Sequence, residues 1–255
     1  MKISIITVSF NSATTIRDTI ESVLYQTYSD IEYLIIDGQS KDNTVEIIQS
    51  YESMFAGRLH WISEPDRGLY DAMNKGIKMA TGDVVGVINS DDFYHRNDVV
   101  GKIAGVFIKD NDIQAIFGDV RFVHPENLNK TVRYYAAKNF NIKRFRFGFM
   151  PPHPTFFTYK KNFERFGYYR TDYKIAADYE LLIRFLYKNK LTYKYVPLDV
   201  MKMRTGGAST ASTKSNIIIN REIVRACKEN GIYTNMAILM LKYFVKIWEL
   251  IITKE

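Results

Sequence analysis

The stretch VINSDDFY places two carboxylates, Asp91 and Asp92, just beyond an apolar run, Val84 to Ile88, that reads as a buried strand. Adjacent like charges repel, and burial adds a desolvation cost to each. Such a pair calls for a positive partner. Hard oxygen ligands suit Mg2+ or Mn2+, with water and phosphate oxygens completing the shell. One acid can then ligate the metal while the other accepts a hydrogen bond from a sugar hydroxyl. A solvated turn or a helix cap is the alternative reading of the same two residues.

The other strand ends add to the set. In open parallel sheets, ligands sit beyond the carboxyl ends of the strands. Here the first strand leads to Ser9 and Asn11, the second to Asp37, and the third to Glu64 and Asp66. Neither GxGxxG nor GxxxxGK[ST] follows the first strand, so a glycine-rich phosphate cradle is not expected. A cation bridging acids and phosphates would replace it. The loop RTGGAS, from Arg204, combines charge with movable glycines and suits closure over a diphosphate or a plain surface loop. Arg67 and Lys75 are weaker anion candidates.

These residues need a frame. ISIITVSF (Ile3 to Phe10), IEYLIID (Ile31 to Asp37), LHWIS (Leu59 to Ser63) and Val84 to Ile88 read as buried strands. Helices between them carry Ile16, Ile20, Val23 and Leu24, then Val45, Ile48 and Tyr51 behind a capping Asp42, then the stripe from Tyr70 to Ala80. This alternation predicts an α/β fold with a mostly parallel central sheet flanked by helices. Beyond Asp92 the reading gives a helix on Val99, Ile103 and Phe107 and a hairpin of AIFGDVRFV with TVRYY. A strand HPTFFTYK, a helix AADYELLIRFLYKN and a strand LTYKYVPLDVMKM follow. Two helices, from about 214 to 229 and from about 234 to 252, form a C-terminal extension. Residues 1–210 are expected as one catalytic domain, with a donor half to about 95 and an acceptor half to 210, and 211–255 as the helical tail.

Composition narrows the class. The 255 residues are 46% hydrophobic and 25% charged, as in globular chains. A net charge of +7 suits an anionic ligand, a nucleic acid or an anionic membrane surface. A single cysteine, Cys227, rules out an internal disulfide and a thiolate metal cluster. The N-terminus lacks the pattern of a signal peptide, and no uninterrupted apolar segment reaches about 18 residues.

TVSFN, LIIDGQSKDNT, SEPDRGLYDAMNKGIKMATGD, INSDD and AADYELLIR, in this order and spacing, resemble a family 2 glycosyltransferase of the GT-A fold. The likeness runs from about Ile3 to Gly207 and is strongest to the bacterial polysaccharide and lipopolysaccharide branch. It implies transfer of a sugar from a nucleotide-diphosphate donor, expected to be a UDP-sugar, with inversion at the anomeric carbon. By position it implies that Asp37 hydrogen-bonds the nucleobase and that Val8 and Ser9 line the nucleotide pocket, while Asn11, by its place at the strand end, and Arg67 and Arg204, by their charge, are counted with the donor site. It further implies that Asp91 touches the ribose or donor sugar, that Asp92 ligates Mn2+ or Mg2+, and that Asp178 is the catalytic base. His153 stands where related sequences carry a histidine, and an acceptor or diphosphate contact competes there with a structural role. Three departures stand out. One acid replaces the frequent pair at Asp37, Ala177 precedes Asp178 in place of glutamate, and the QxxRW element of processive synthases is absent.

The chemistry asks for the same parts. A single displacement at an anomeric carbon needs one carboxylate to take the acceptor's proton and a cation to stabilise the diphosphate. Asp178 lies four residues before Leu182, on the inward stripe of its helix and near the N-terminus, where a dipole-stabilised acid is also at home. In the tail, Asn235, Lys242, Lys246, Glu249 and Thr253 fall on one narrow stripe and leave a wide apolar face. That face suits a membrane surface, as a peripheral protein on the cytoplasmic side of the cell membrane would need. It equally suits the catalytic domain or a second copy in a homodimer. The expected partners are thus a nucleotide-sugar donor, a glycan or lipid-linked acceptor and a membrane surface. A basic nucleic-acid binder, drawn from KRFRFGF, and a non-catalytic protein of the same fold are the competing readings.

Overall fold

The computed structural model describes residues 1–206 and 213–241. Its donor-side half follows the alternation read from the sequence: β1 (Ile3–Ser9), α1 (Ile16–Leu24), β2 (Ile31–Asp37), α2 (Thr44–Tyr51), β3 (Leu59–Ser63), α3 (Leu69–Met79) and β4 (Val84–Asn89). β1 pairs in parallel with β2 and β4, and β2 pairs in parallel with β3. Every residue of β1 and β2 is buried, which is why both read as continuous apolar runs. Alternate side chains feed two layers. Ile6, Val8, Leu34, Ile36, Val85 and Val87 pack with Tyr70, Met73 and Ile77 of α3. Ile3, Ile5, Tyr33, Ile35, Val84 and Ile88 pack with Ile16, Ile20 and Ile48 on the other face.

The second half adds β5 (Asp92–Tyr94), α4 (Val99–Lys109), β6 (Ala115–His124), β7 (Asn127–Tyr135), β8 (Phe157–Tyr159), α5 (Lys160–Phe166), α6 (Ala177–Leu182), β9 (Tyr193–Arg204) and α7 (Thr213–Glu229). The sheet order is β3-β2-β1-β4-β8-β6-β9-β5, with β7 paired to β6. The short antiparallel β8 joins the two halves, and at the junction the Phe157 ring lies against Gly86 of β4.

Several expectations change here. HPTFFTYK is a 3-10 turn followed by only three strand residues, and α5 begins at Lys160. The helix on AADYELLIRFLYKN is α6 for six residues and then a π turn, Ile183–Lys188. β5 was not expected at all. It exists because the chain leaving β4 pairs with the far end of β9, Asp92 opposite Met203. Asp42 behaves as read, accepting from the Thr44 amide at 3.1 Å as α2 begins.

The C-terminal extension begins as part of the body. Ile223, Ala226 and Cys227 of α7, with Ile232 and Leu239 beyond it, share one buried cluster with Tyr70, Phe145 and Tyr179. Among the described residues no helix is long and apolar enough to cross a membrane. The loop from Gly207 to Ser212 and the amphipathic stripe from Lys242 onward lie outside the described residues.

Candidate active site

The ends of β1, β2 and β3 meet in a knot around Asp37. Its carboxylate is fully buried and accepts from Ser9 Oγ at 3.0 Å, Ser40 Oγ at 2.5 Å, the Ser40 amide at 2.9 Å and Ser63 Oγ at 2.7 Å. Four donors occupy all the acceptor capacity a carboxylate has. Asp37 therefore ties three strands together at this end of the sheet, with the acceptor capacity expected for a nucleobase already engaged by serines. Val8 and Ser9 are buried in the same floor. Asn11 adopts φ 50° and exchanges bonds with the Ser40–Lys41 loop, its amide donating to Ser40 Oγ at 2.8 Å and its Oδ1 accepting from the Lys41 amide at 2.8 Å.

Beside this knot stand Asp66 and an aromatic, Phe10, that was given no role from the sequence. Phe10, the next residue after β1, is 63% exposed. A Cβ on Gly38 would lie 2.6 Å from Asp66 Oδ2 and 3.4 Å from the Phe10 ring. The bare backbone of Gly38 thus lets the Asp66 carboxylate approach from the neighbouring loop. An aromatic face beside an acid can hold a flat base and its N–H groups. The strand-end rule did place Asp66 on this edge. What it lacked was the exposed aromatic following Ser9 and the missing side chain at Gly38.

The acid pair closes β4. Asp92 is 1% exposed and accepts from Asn89 Nδ2 at 3.2 Å. Burial, with Asp91 beside it, pushes its carboxyl well above the usual carboxylate range. Asn89 Oδ1 is buried without a hydrogen-bond partner. An orphaned amide oxygen on the strand end that leads into two acids adds a hard donor to a set that fits a divalent cation. No group of three His, Cys, Asp or Glu converges among the described residues, so water and phosphate oxygens would have to complete a shell. Ser12 Oγ and Ser90 Oγ, 2.8 Å apart, tie this turn to the loop after β1.

Arg204 does reach the acid pair, but it is held there. It is 10% exposed, pairs with Asp18, donates to the Asp91 carbonyl at 2.5 Å and lies over the Phe93 ring. Arg204 is thus a positive charge held at the turn. The glycine loop beyond it, read as either a closing loop or a plain surface loop, lies outside the described residues from Gly207. Arg67 is 82% exposed and bonded only to Asp71, at the mouth of a cleft it shares with Tyr70, Thr171 and Lys174. Lys75 is engaged by Glu64 and the Pro65 carbonyl, each at 2.8 Å.

Asp178 sits at the first turn of α6, half-buried, and accepts from the Tyr179 amide at 2.7 Å. Burial outweighs the helix amides and raises its carboxyl to about 6. Tyr70 and Tyr169 stack beside it, and Tyr70 donates to the Ile175 carbonyl. Of the two readings for His153, its surroundings follow the structural one. It is buried, its Nε2 stands 2.5 Å from the Tyr169 hydroxyl, and burial lowers it to about 4, so it is a neutral prop behind this wall.

The basic, aromatic stretch KRFRFGF spends its rings on the fold. Phe145 is fully buried, Arg144 covers Phe149, and Arg146 covers Phe147. Stacking platforms for bases are not what this strip presents.

Residues 4–170 match the family model described as Glycosyl transferase family 2. Over 251 residues the chain is 25% identical to a PGL/p-HBAD biosynthesis glycosyltransferase of Mycobacterium bovis, covering 98% of this chain and 92% of the relative. Among solved structures it resembles S. aureus TarS 1-349 in complex with UDP-GlcNAc, at TM-score 0.67 and 18% identity, over 91% of this chain and 68% of that one. It spans 41% of the chain in another structure of S. aureus TarS. It also resembles the mannosyltransferase PcManGT from Pyrobaculum calidifontis in complex with GDP-Man and Mn2+, at TM-score 0.65 and 17% identity, over 89% of this chain and 63% of that one. The helix-flanked, mostly parallel sheet is that of GT-A glycosyltransferases, and the chain belongs to glycosyl transferase family 2.

Proposed function

We propose that this glycosyltransferase is inverting, metal-dependent and non-processive, and that it moves a sugar from a UDP-sugar to a glycan or lipid-linked acceptor in cell-surface polysaccharide synthesis. The observation that carries the reading is Asp178. Its carboxyl is raised to about 6 by burial yet keeps solvent access, with a backbone amide as its hydrogen-bond donor. A base tuned near working pH is mostly ionised at neutrality and still able to take a proton.

The acceptor hydroxyl attacks the anomeric carbon and gives its proton to Asp178 as the bond to the diphosphate oxygen breaks. One displacement leaves the configuration inverted. Phe10 and Asp66 bind the base of the donor, over the floor of Val8, Ser9 and Asp37. Asp92, with Asp91 and Asn89 Oδ1 alongside, would hold Mn2+ or Mg2+. When bound, such a cation supplies charge neutralisation to the departing diphosphate. The ligands of TarS and PcManGT support a nucleotide-sugar donor and a divalent cation. The absence of QxxRW supports single transfer.

A lipid-linked acceptor lies at a membrane surface. Exposed Tyr233, Met236, Met240 and Leu241 adjoin the basic strip, since Thr234 Oγ1 donates to the Arg146 carbonyl at 2.6 Å. Apolar groups next to cations support peripheral contact with an anionic leaflet.

The test is a thermal-shift screen of nucleotide sugars with and without Mn2+, followed by nucleotide release with candidate acceptors. UDP-GlcNAc is expected to stabilise wild type more strongly with Mn2+, and Asp92→Ala to lose the increment. Full activity of Asp92→Ala, or of wild type in excess chelator, would rule out the metal role.

A further inference from the structure

We infer that Glu222, on α7, is a positioning residue for Asp178: its carboxylate clamps the backbone just ahead of α6 and so fixes where Asp178 stands. Glu222 Oε1 accepts from the Lys174 amide at 2.7 Å, and Oε2 accepts from the Ile175 and Ala176 amides at 2.9 Å each. Three convergent amides on one carboxylate make a strong, charge-assisted grip. α6 has no side-chain cap of its own. Its start is therefore organised from outside, by a residue 46 positions beyond Ala176.

The segment is gripped from both sides. Tyr70 of α3 donates to the Ile175 carbonyl, opposite the Glu222 clamp. α7 is a firm base for that clamp. Ile223, Ala226 and Cys227 are buried, and Arg225 reaches across to the Asp172 carbonyl at 3.2 Å while pairing with Glu229 at 2.8 Å. The titratable groups facing Asp178 are Tyr70 from α3, Tyr169 from the preceding loop and Glu222 from α7. After burial, the Glu222 charge is a further influence raising the Asp178 carboxyl.

The inference rests on Asp178 being the base, and the experiment separates the two. The Asp178 carboxyl is titrated by 13C NMR in the full chain, and UDP release from UDP-GlcNAc is measured alongside. Glu222→Gln keeps the shape and one acceptor oxygen but removes the charge. Its Asp178 titration is expected to move to lower pH and its turnover to fall about 10- to 100-fold, with KM for UDP-GlcNAc unchanged. Glu222→Asp, one methylene shorter, is expected to lie between it and wild type. In a folded variant, an Asp178 titration or a turnover matching wild type overturns the inference. So does failure of both variants to fold, which makes the clamp structural only. Asp178→Asn tests the underlying reading, because it keeps its turnover only if Asp178 is not the base. Where wild type releases no UDP from UDP-GlcNAc, the titration alone decides.

Discussion

Asp178 carries a charge that its surroundings disfavour. Burial lifts its carboxyl from 3.8 to about 6. A group raised in the folded state contributes most stability below its unfolded value, and that contribution is lost as pH rises through 6. Asp178→Asn is therefore expected to be more stable than wild type at pH 8, by about 1–3 kcal/mol. The difference should vanish near pH 4, while turnover is lost at every pH. Urea unfolding across this range checks it, and equal stability at pH 8 would sink the idea. Asp66 offers a contrast, since its proposed role is binding. Asp66→Ala is expected to weaken UDP-GlcNAc binding about tenfold, the loss of one charge-assisted hydrogen bond, with little change in kcat. Isothermal titration separates this from Asp37→Ala, which removes a carboxylate serving four donors and should cost folding stability instead.

At the scale of elements, the seam between the sheet halves is the vulnerable place. A Cβ on Gly86 would stand 2.1 Å from the Phe157 ring, in a layer where neither side has room. Gly86→Ala should destabilise by about 1–3 kcal/mol, with Phe157→Leu in the same chain restoring part of it. Additive losses in the double variant would show that the two residues do not share one space. At the opposite edge, Glu32 links β2 to β1 and to the turn before β4. Burial raises its carboxyl, but bonds from Ser4, Thr81 and Lys2 outweigh this and hold it at about 2. Its stabilisation is present above pH 4.5 and is lost as pH falls toward 2. Glu32→Gln should thus be weaker than wild type by about 2–3 kcal/mol at pH 7, with the gap closing only as pH falls to about 2. A gap that stays constant with pH would assign the loss to packing. β1, β2 and β4 were legible in the sequence because each is a long apolar run buried on both faces. β5 was not, because a three-residue strand that exists only through its partner leaves no periodic trace. β8 was read from its apolar residues but too long, since pairing limits it to three.

For the whole molecule, a net charge of +7 and the exposed side chains of Tyr233, Met236 and Met240 lead to one expectation. The full chain should sediment with vesicles containing anionic lipid, less so at high salt. Met236→Glu with Met240→Glu should weaken this without moving the melting temperature. Binding that is indifferent to both charge and these methionines would argue against a membrane role. The catalytic frame was readable because its acids stand at strand ends, where topology alone locates them. The state of each side chain was not readable. That Ser9 and Ser63 complete the bonds to Asp37, that Arg204 pairs with Asp18 and that His153 faces Tyr169 all depend on partners outside the local sequence.

The burial of α7 beside α6 also has a consequence for how the protein is made. β1 to β4, with the donor pocket, leave the ribosome first, and N-terminal regions generally begin to fold first during synthesis. Ile223, Ala226 and Cys227 emerge much later, yet they complete the layer in which Tyr179 is seated. A nascent chain can therefore assemble its donor pocket well before its acceptor side is whole. Sugar transfer would then have to wait until α7 has emerged and packed beside Tyr179.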